Sequence, residues 1–461
     1  MYDTIIIGAG MSGLAAGIRL AHYDQRVCIL ERHNTIGGLN SFYRLGGRDY
    51  DVGLHAVTNF TAKGARHGPL AKILRQLRFK WEEFSLSPQA GSRISFPGVD
   101  LRFNNDIELL HSEIASRFPG QIDGFRKLES LVTAYDQLDQ ESFERSTRQI
   151  MSQCLTDPLL QDMLLCPLMW YGNAREHDMD FGQFSIMFHS IYREGFARPF
   201  KGVRLILKNL VKRYRSLGGE LLLRKGVKKI HVDNGHARAI ELDDGEILET
   251  RRILSSAGHV ETMRLCDDVS QVDNRQAGQL TFIESISILD RQPASLGMDE
   301  TIVFYNDSPR FHWQRPEAEL CDVRTGVICS PNNYEYADDQ QLDEGVVRIT
   351  SIAHFDRWNE LEESPYRMAK ARWYDRGVES AVRFVPDFRS HVIATDMFTP
   401  RTIRRFTWHD NGAVYGAPDK QLDGTTHLDN LFLCGTDQGF VGIIGSIMSG
   451  ISMANAHCLR D

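Results

Sequence analysis

The chain has 461 residues, 42% hydrophobic and 25% charged, which is long enough for two or three domains with sizeable cores and unlike a disordered composition. Lys plus Arg total 53 against 61 Asp plus Glu, a formal charge of -8, and this excludes a broad nucleic-acid-binding surface. The eight cysteines include no C-x-x-C pair and no metal-like cluster, so they read as reduced thiols of a cytosolic protein, with no metal site and with Cys28 and Cys434 in core strands.

Residues 3 to 31, DTIIIGAGMSGLAAGIRLAHYDQRVCILE, read as one βαβ unit. Thr4 to Ile7 is the β-branched run of a strand buried on both faces. It ends in Gly8-Ala9-Gly10-Met11-Ser12-Gly13, a G-x-G-x-x-G placed where strand turns into helix. Leu14, Ile18 and Ala21 follow at helical spacing, Val27 to Leu30 reads as a second strand, and Glu31 closes it. In such a unit Gly8 makes the tight turn, Gly10 admits a pyrophosphate, Gly13 brings helix against strand, and Glu31 accepts from a ribose diol. The unit predicts dinucleotide binding. Its strand starts so early that no leader fits before it, and no apolar run approaches the ~20 residues of a membrane-spanning helix. Membrane contact is then peripheral at most.

Residues 32 to 59 carry Gly37-Gly38, a polar strand through Ser41 and Tyr43, and Tyr50-Asp51-Val52-Gly53-Leu54-His55. The run from G-x-G-x-x-G through E-x(5)-G-G to Y-D-V-G-x-H resembles the N-terminus of the phytoene desaturase, carotenoid isomerase and retinol saturase group. That group lies within the FAD-dependent amine-oxidase superfamily. The resemblance implies FAD, with Gly8, Ala9, Gly10, Met11, Ser12, Gly13, Glu31 and Arg32 around its nucleotide. Many superfamily members have an Arg after the glycine doublet; here Gly38 is followed by Leu39 and Asn40. Gly53 and Leu54 resemble the segment beside the isoalloxazine, which makes His55 the candidate catalytic side chain. A hydrogen-bonded structural histidine explains His55 as well.

From 61 to 195 helical spacing dominates: Leu70, Ile73, Leu74, Leu77; Ile107, Leu110, Ile114, Phe118; Phe125, Leu128, Leu131, Tyr135. This predicts a largely helical insertion. The apolar stretch 159 to 172 and the aromatic, methionine-rich stretch 181 to 192 are core or the lining of a tunnel for a long apolar substrate. The basic amphipathic segment 71 to 81 has either a solvated face or a face for a membrane surface.

Residues 197 to 258 read as a turn, an amphipathic helix and short strands. By resemblance, Val227 meets the adenine and Ala257 ends a strand beneath the cofactor. Alternating strands at 280 to 356 predict an antiparallel sheet, and 364 to 384 a helix. Thr399 to Pro418 resembles the family's T-P-x-T and G-A-x-Y-G segment. Residues 430 to 437 read as a strand ending in a small-residue turn, followed by a glycine-containing helix. In the family this is the C-terminal FAD motif, which implies Gly435, Asp437, Gly442, Ile443 and Ile444 as cofactor residues. A helix N-terminus there suits the negative charge of a reduced flavin.

The order of these sites predicts an α/β fold: a Rossmann-like, doubly wound, discontinuous FAD domain (1–60, 196–280, 396–461) with an inserted α+β substrate domain (61–195, 281–395). The implied activity is redox work on carbon-carbon bonds of a hydrophobic isoprenoid or polyene, by desaturation, isomerisation or saturation. Conjugation would stabilise a cation during desaturation, and the motifs contain no strong base. Two rivals stand beside it: an amine or porphyrinogen oxidase, which needs polar groups facing the flavin, with His55 and Trp408 as the hints, and a non-catalytic prenyl-lipid carrier. The implied partner is a hydrophobic small molecule. Oligomeric state is unread.

Overall fold

The computed structural model describes residues 1–53, 56–135, 145–269, 272–273 and 276–459. Its first sheet has seven strands taken from well-separated parts of the chain. Tyr2–Ile7 pairs in parallel with Val27–Glu31 on one side and Ile247–Ser255 on the other. Glu220–Leu223 adds in parallel beyond Val27–Glu31, and Leu431–Leu433 lies in parallel beside Ile247–Ser255. An antiparallel pair, Val227–Asp233 and His236–Leu242, continues from the first half of Ile247–Ser255.

The isoleucine run explains why the centre of this sheet is covered on both faces. Ile6 packs among the helices Met11–Ala21, Arg204–Ser216 and Gly442–Met453. Ile5 and Ile7 point the other way, toward Ile230, Ile240 and Met263. With alternate side chains pointing to opposite faces, both faces must be apolar.

The last helix lies directly against the first. A Cβ on Gly450 would sit 2.0 Å from the carbonyl oxygen of Ser12, so only glycine allows this approach. The Gly435 amide donates to Ser449 Oγ at 2.8 Å. Chain positions more than four hundred residues apart thus share one face of one sheet.

The second sheet also has seven strands, in the order Val392–Phe398, Thr281–Leu289, Gly345–Ala353, Cys321–Cys329, Ile302–Asn306, Ser92–Phe96, Val99–Phe103. Every pairing is antiparallel except that of Ile302–Asn306 with Ser92–Phe96. The predicted strands between 280 and 356 are all present. The helix predicted at 364 to 384 is Glu363–Ala381.

The largely helical reading of 61 to 195 does not include the strands found there. Ser92–Phe96 and Val99–Phe103 form a hairpin across Pro97-Gly98, with Gly98 at φ 78°, and extend the second sheet. Its apolar residues alternate (Ile94, Phe96; Leu101, Phe103), the pattern of a strand rather than of a helix. The remaining stretches are helices as predicted, at Pro69–Leu77, Ile107–Arg117, Ile122–Thr133, Pro158–Gly172 and Phe181–Phe188.

The basic segment 71 to 81 spends its apolar side inside the protein. Leu70, Ile73, Leu74 and Leu77 are buried against the first-sheet core, leaving the charged face outward. Among the described residues no helix is long and apolar enough to cross a membrane. The eight cysteines are free thiols, and Cys28 and Cys434 are buried.

Candidate active site

Two hollows meet between the sheets. The first is a groove across the ends of the parallel strands, floored by Ile7, Gly8, Gly10, Met11 and Ser12 and walled by Glu31, Arg32, Gly38, Leu39, Asn40, Val227, Ala257 and Gly435. Its shape follows from glycine placement. Gly8 has φ 99°, the left-handed region that favours glycine. A Cβ on Gly13 would lie 2.1 Å from the Gly8 carbonyl oxygen, so Gly13 lets the helix close onto the strand. Gly10, Gly38 and Gly442 are different: a Cβ on any of them meets no protein atom within 4 Å. Gly10 and Gly38 keep open a space in the groove that the protein itself does not fill, as the cradle of a dinucleotide requires, and Gly442 does the same in the adjoining hollow.

Polar groups hold that cradle in shape. Glu31 accepts from the amides of Ala9 and His33, each at 2.9 Å, which fixes the carboxylate at the groove wall. The Gly37 amide donates to the Ala9 carbonyl at 2.9 Å, bringing the glycine doublet beside the first turn. Arg32 donates to the Val227 carbonyl at 2.9 Å and lies 4.0 Å from the Trp408 ring centroid. Trp408, 48% exposed, holds φ 65°, a strained backbone worth about 1–3 kcal/mol that persists where neighbours fix it. The indole lies over the guanidinium at the groove rim. The helix Met11–Ala21 starts at Gly10 with its free amides toward the groove, a site suited to an anion.

Four of the predicted residues stand behind the groove, Gly13 among them. Ala9 and Ile444 are buried, Ile444 in the helix core. Asp437 is buried as well, and its oxygens accept from the amides of His259 at 2.6 Å and Ala417 at 2.7 Å. Burial opposes its charge, but Lys420, His409 and these amides hold its pKa below the usual carboxylate value. Lys420 in turn is lowered to about 8 by burial. For His409, burial opposes protonation, yet Glu261 at 3.6 Å raises its pKa overall. This network braces the turn that carries Gly435. Leu54 and His55 lie outside the described residues.

The second hollow is apolar and lies against the second sheet. Val52, Gly53, Trp170, Tyr171, Phe282, Phe398, Tyr415, Gly442 and Ile443 line it. Of the stretches 159 to 172 and 181 to 192, only Trp170 and Tyr171 reach it; the rest is core. Tyr415 donates to the Trp170 carbonyl, which fixes one aromatic wall, and Trp170 meets Phe282 at 5.3 Å between centroids. The groove and the cavity share Leu39, Asn40, Thr436 and Ser446. The helix Gly442–Met453 begins at this junction.

The motifs did not point to several residues found here. Ser256, His33, Lys225 and His409 line the groove without belonging to a glycine motif. Glu284 and Thr350 bring polarity into the apolar cavity. Glu284 forms a buried ion pair with Arg348, and burial, against the pull of Arg348, pushes its pKa up to about 7. An acid on an otherwise apolar strand face, F-x-E-x-I-x-I, was the signal for it.

The model of the NAD(P)-binding Rossmann-like domain matches residues 6–77. Relatives extend over the whole chain. Chloroplastic prolycopene isomerase of Arabidopsis thaliana is 23% identical across 99% of this chain and 82% of its own length. All-trans-retinol 13,14-reductase of Danio rerio is 20% identical across 100% of this chain and 86% of its own. The solved structure of putrescine oxidase bound to putrescine superposes with a TM-score of 0.65, at 15% identity, over 100% of this chain and 99% of that one.

Fold and groove therefore define a dinucleotide-binding protein whose architecture is shared with the putrescine oxidase structure. Within that class, the similarity to the prolycopene isomerase and the retinol 13,14-reductase holds from one end of the chain to the other.

Proposed function

We propose that the protein is an FAD-dependent oxidoreductase acting on carbon-carbon bonds of a hydrophobic isoprenoid or polyene, by desaturation, isomerisation or saturation. The observation that carries this reading is the junction at Leu39, Asn40, Thr436 and Ser446, where the dinucleotide groove opens onto an aromatic cavity. FAD supplies hydride transfer when bound. Gly8, Gly10 and Gly38 let the backbone approach its phosphates, while the amides at the start of Met11–Ala21 face their charge. Glu31 receives the ribose hydroxyls, and Val227 and Ala257 flank the nucleotide end. Gly442 and Ile443 open a helix whose N-terminus favours negative charge, worth roughly 0.3–1 kcal/mol even at a surface. Trp170, Phe282 and Tyr415 hold a flat apolar chain in place and exclude water.

The relatives named for prolycopene and retinol support the polyene class. Gly8, Gly10 and Gly13 are intact, which disfavours a carrier without a cofactor. Because the substrate is water-insoluble, the reading includes a cytoplasmic protein that touches a membrane surface to collect it. The test is anaerobic mixing of the purified protein with polyenes, retinoids and amines while flavin absorbance is followed; isomerisation is assayed with the reduced protein by product geometry. The expected result is a yellow protein that responds to a polyene or retinoid. A response to amines alone overturns the substrate class. A colourless protein that FAD cannot reconstitute points to the carrier.

A further inference from the structure

We infer that Glu284 is a catalytic residue of this site: its carboxylate takes the proton from the substrate carbon next to the one that surrenders hydride, and returns it when the reaction runs toward saturation. The inference rests on the carbon-carbon reading above.

The chemistry requires such a group. When two hydrogens leave adjacent carbons, one departs with its electron pair as hydride, which oxidised FAD accepts. The other departs as a proton, and its bonding pair becomes the new π bond. In a cavity that excludes water, that proton needs a base on the wall.

Glu284 lies where this base has to be. It alternates with Phe282 on one face of Thr281–Leu289, and both line the apolar cavity that meets the cofactor groove. Thr350 stands directly opposite it in the antiparallel register, and its hydroxyl has no protein partner, nor has that of Tyr171 on the facing wall. The cavity thus offers buried polar groups around a single carboxylate. Its ion-pair partner Arg348 lies opposite Ile286, on the same sheet face as Glu284, and lines the neighbouring polar basin with Arg48, Asp51 and Glu344. The carboxylate thus lies between the apolar cavity, which it lines, and its buried ion-pair partner.

Burial and Arg348 set its titration, and other charged or titratable groups face it from the surrounding elements. Arg348 is on the neighbouring strand and Asp396 on the strand at the other side, two pairs along from Phe398, which faces Glu284. Tyr43, Tyr171 and Cys329 each interact electrostatically with Glu284, and Tyr415 lines the same cavity. Burial dominates, Arg348 opposes it, and the outcome of about 7 lets Glu284 hold or release a proton near neutrality.

Glu284→Gln keeps the shape and an acceptor oxygen for Arg348; Glu284→Asp keeps the charge on a shorter arm. Both are expected to retain FAD and to show the wild-type change in flavin absorbance on binding a polyene. Anaerobic flavin reduction by the polyene is expected to slow by about 10²–10⁴-fold in Glu284→Gln and to lose its pH dependence, with part of the rate recovered in Glu284→Asp. Independently of turnover, infrared difference spectra of the wild type are expected to contain a protonated carboxyl band that titrates near neutral pH and is missing in Glu284→Gln. A Glu284→Gln protein with the wild-type rate and pH profile, or a wild type without that band, overturns the assignment. If no polyene reduces the wild-type flavin, the carbon-carbon reading falls and takes this assignment with it; if only the variant results fail, the assignment falls alone.

Discussion

The groove and the cavity share a boundary but are built from different material. The groove is made of backbone: glycines that leave space, helix ends that present amides, and a carboxylate fixed by two of those amides. The cavity is made of side chains contributed by elements far apart in sequence, and its polarity depends on one buried ion pair. Substitutions should therefore act on the two regions by different routes, the groove failing through contact and the cavity through charge.

The largest effect is expected at the ion pair. Arg348→Met leaves Glu284 buried without its partner, a loss of about 3–5 kcal/mol that a denaturant midpoint measures. FAD content at low denaturant should be unchanged. If it falls in parallel, groove and cavity are one unit and the comparison breaks.

The next is at the contact between the first and last helices. Gly450→Ala places a methyl against the Ser12 carbonyl and should cost about 1–3 kcal/mol, with weakened FAD retention seen as flavin released on gel filtration. A variant as stable and as yellow as the wild type would mean that this approach is not what holds the groove.

The third concerns pH. The folded-state pKa of Glu284 lies above the ordinary carboxylate value of 4.5 and reaches about 7, so the folded chain binds a proton the unfolded chain has released. Its contribution to stability is then full below about 4.5 and falls as pH rises through about 7. Comparing unfolding midpoints of the wild type and Glu284→Gln across that window should show the difference narrowing or reversing toward high pH. A pH-independent difference would contradict the raised pKa.

The smallest effect sharpens the picture of the cavity wall. Tyr171 has a buried hydroxyl without a protein partner, so Tyr171→Phe should be neutral or stabilising by up to about 1 kcal/mol. A clear loss of thermal stability would show that the hydroxyl has a partner in solution.

This division also explains what the sequence disclosed. The groove was legible because each of its backbone tasks needs glycine or a short polar residue at a fixed local spacing: Gly8, Gly10, Gly13 and Glu31 lie within twenty-four residues. The order of the segments then gave the discontinuous α/β fold. Asp437 is read from the motif as a cofactor contact; the amides of His259 and Ala417 that its oxygens accept from form a long-range pairing that no local spacing reveals. The hairpin at 92–103 was hidden because it is short and sits between helical patterns. The cavity was the least legible. Glu284 and Arg348 lie sixty-four residues apart and become neighbours only through strand pairing. An acid and a base, each alone on an apolar strand face, were nevertheless visible, and read together they mark such a pair.

The central claim is that the two ends of the chain close on one dinucleotide. The most direct measurement is the flavin-to-protein ratio of three purified proteins: the wild type, Gly10→Asp from the first turn, and Ser446→Glu from the last helix. The account predicts FAD near one per chain in the wild type, and in each folded variant an affinity at least tenfold weaker, the factor that about 1.4 kcal/mol produces. If either variant keeps a full complement of FAD, the end it was taken from does not hold the cofactor.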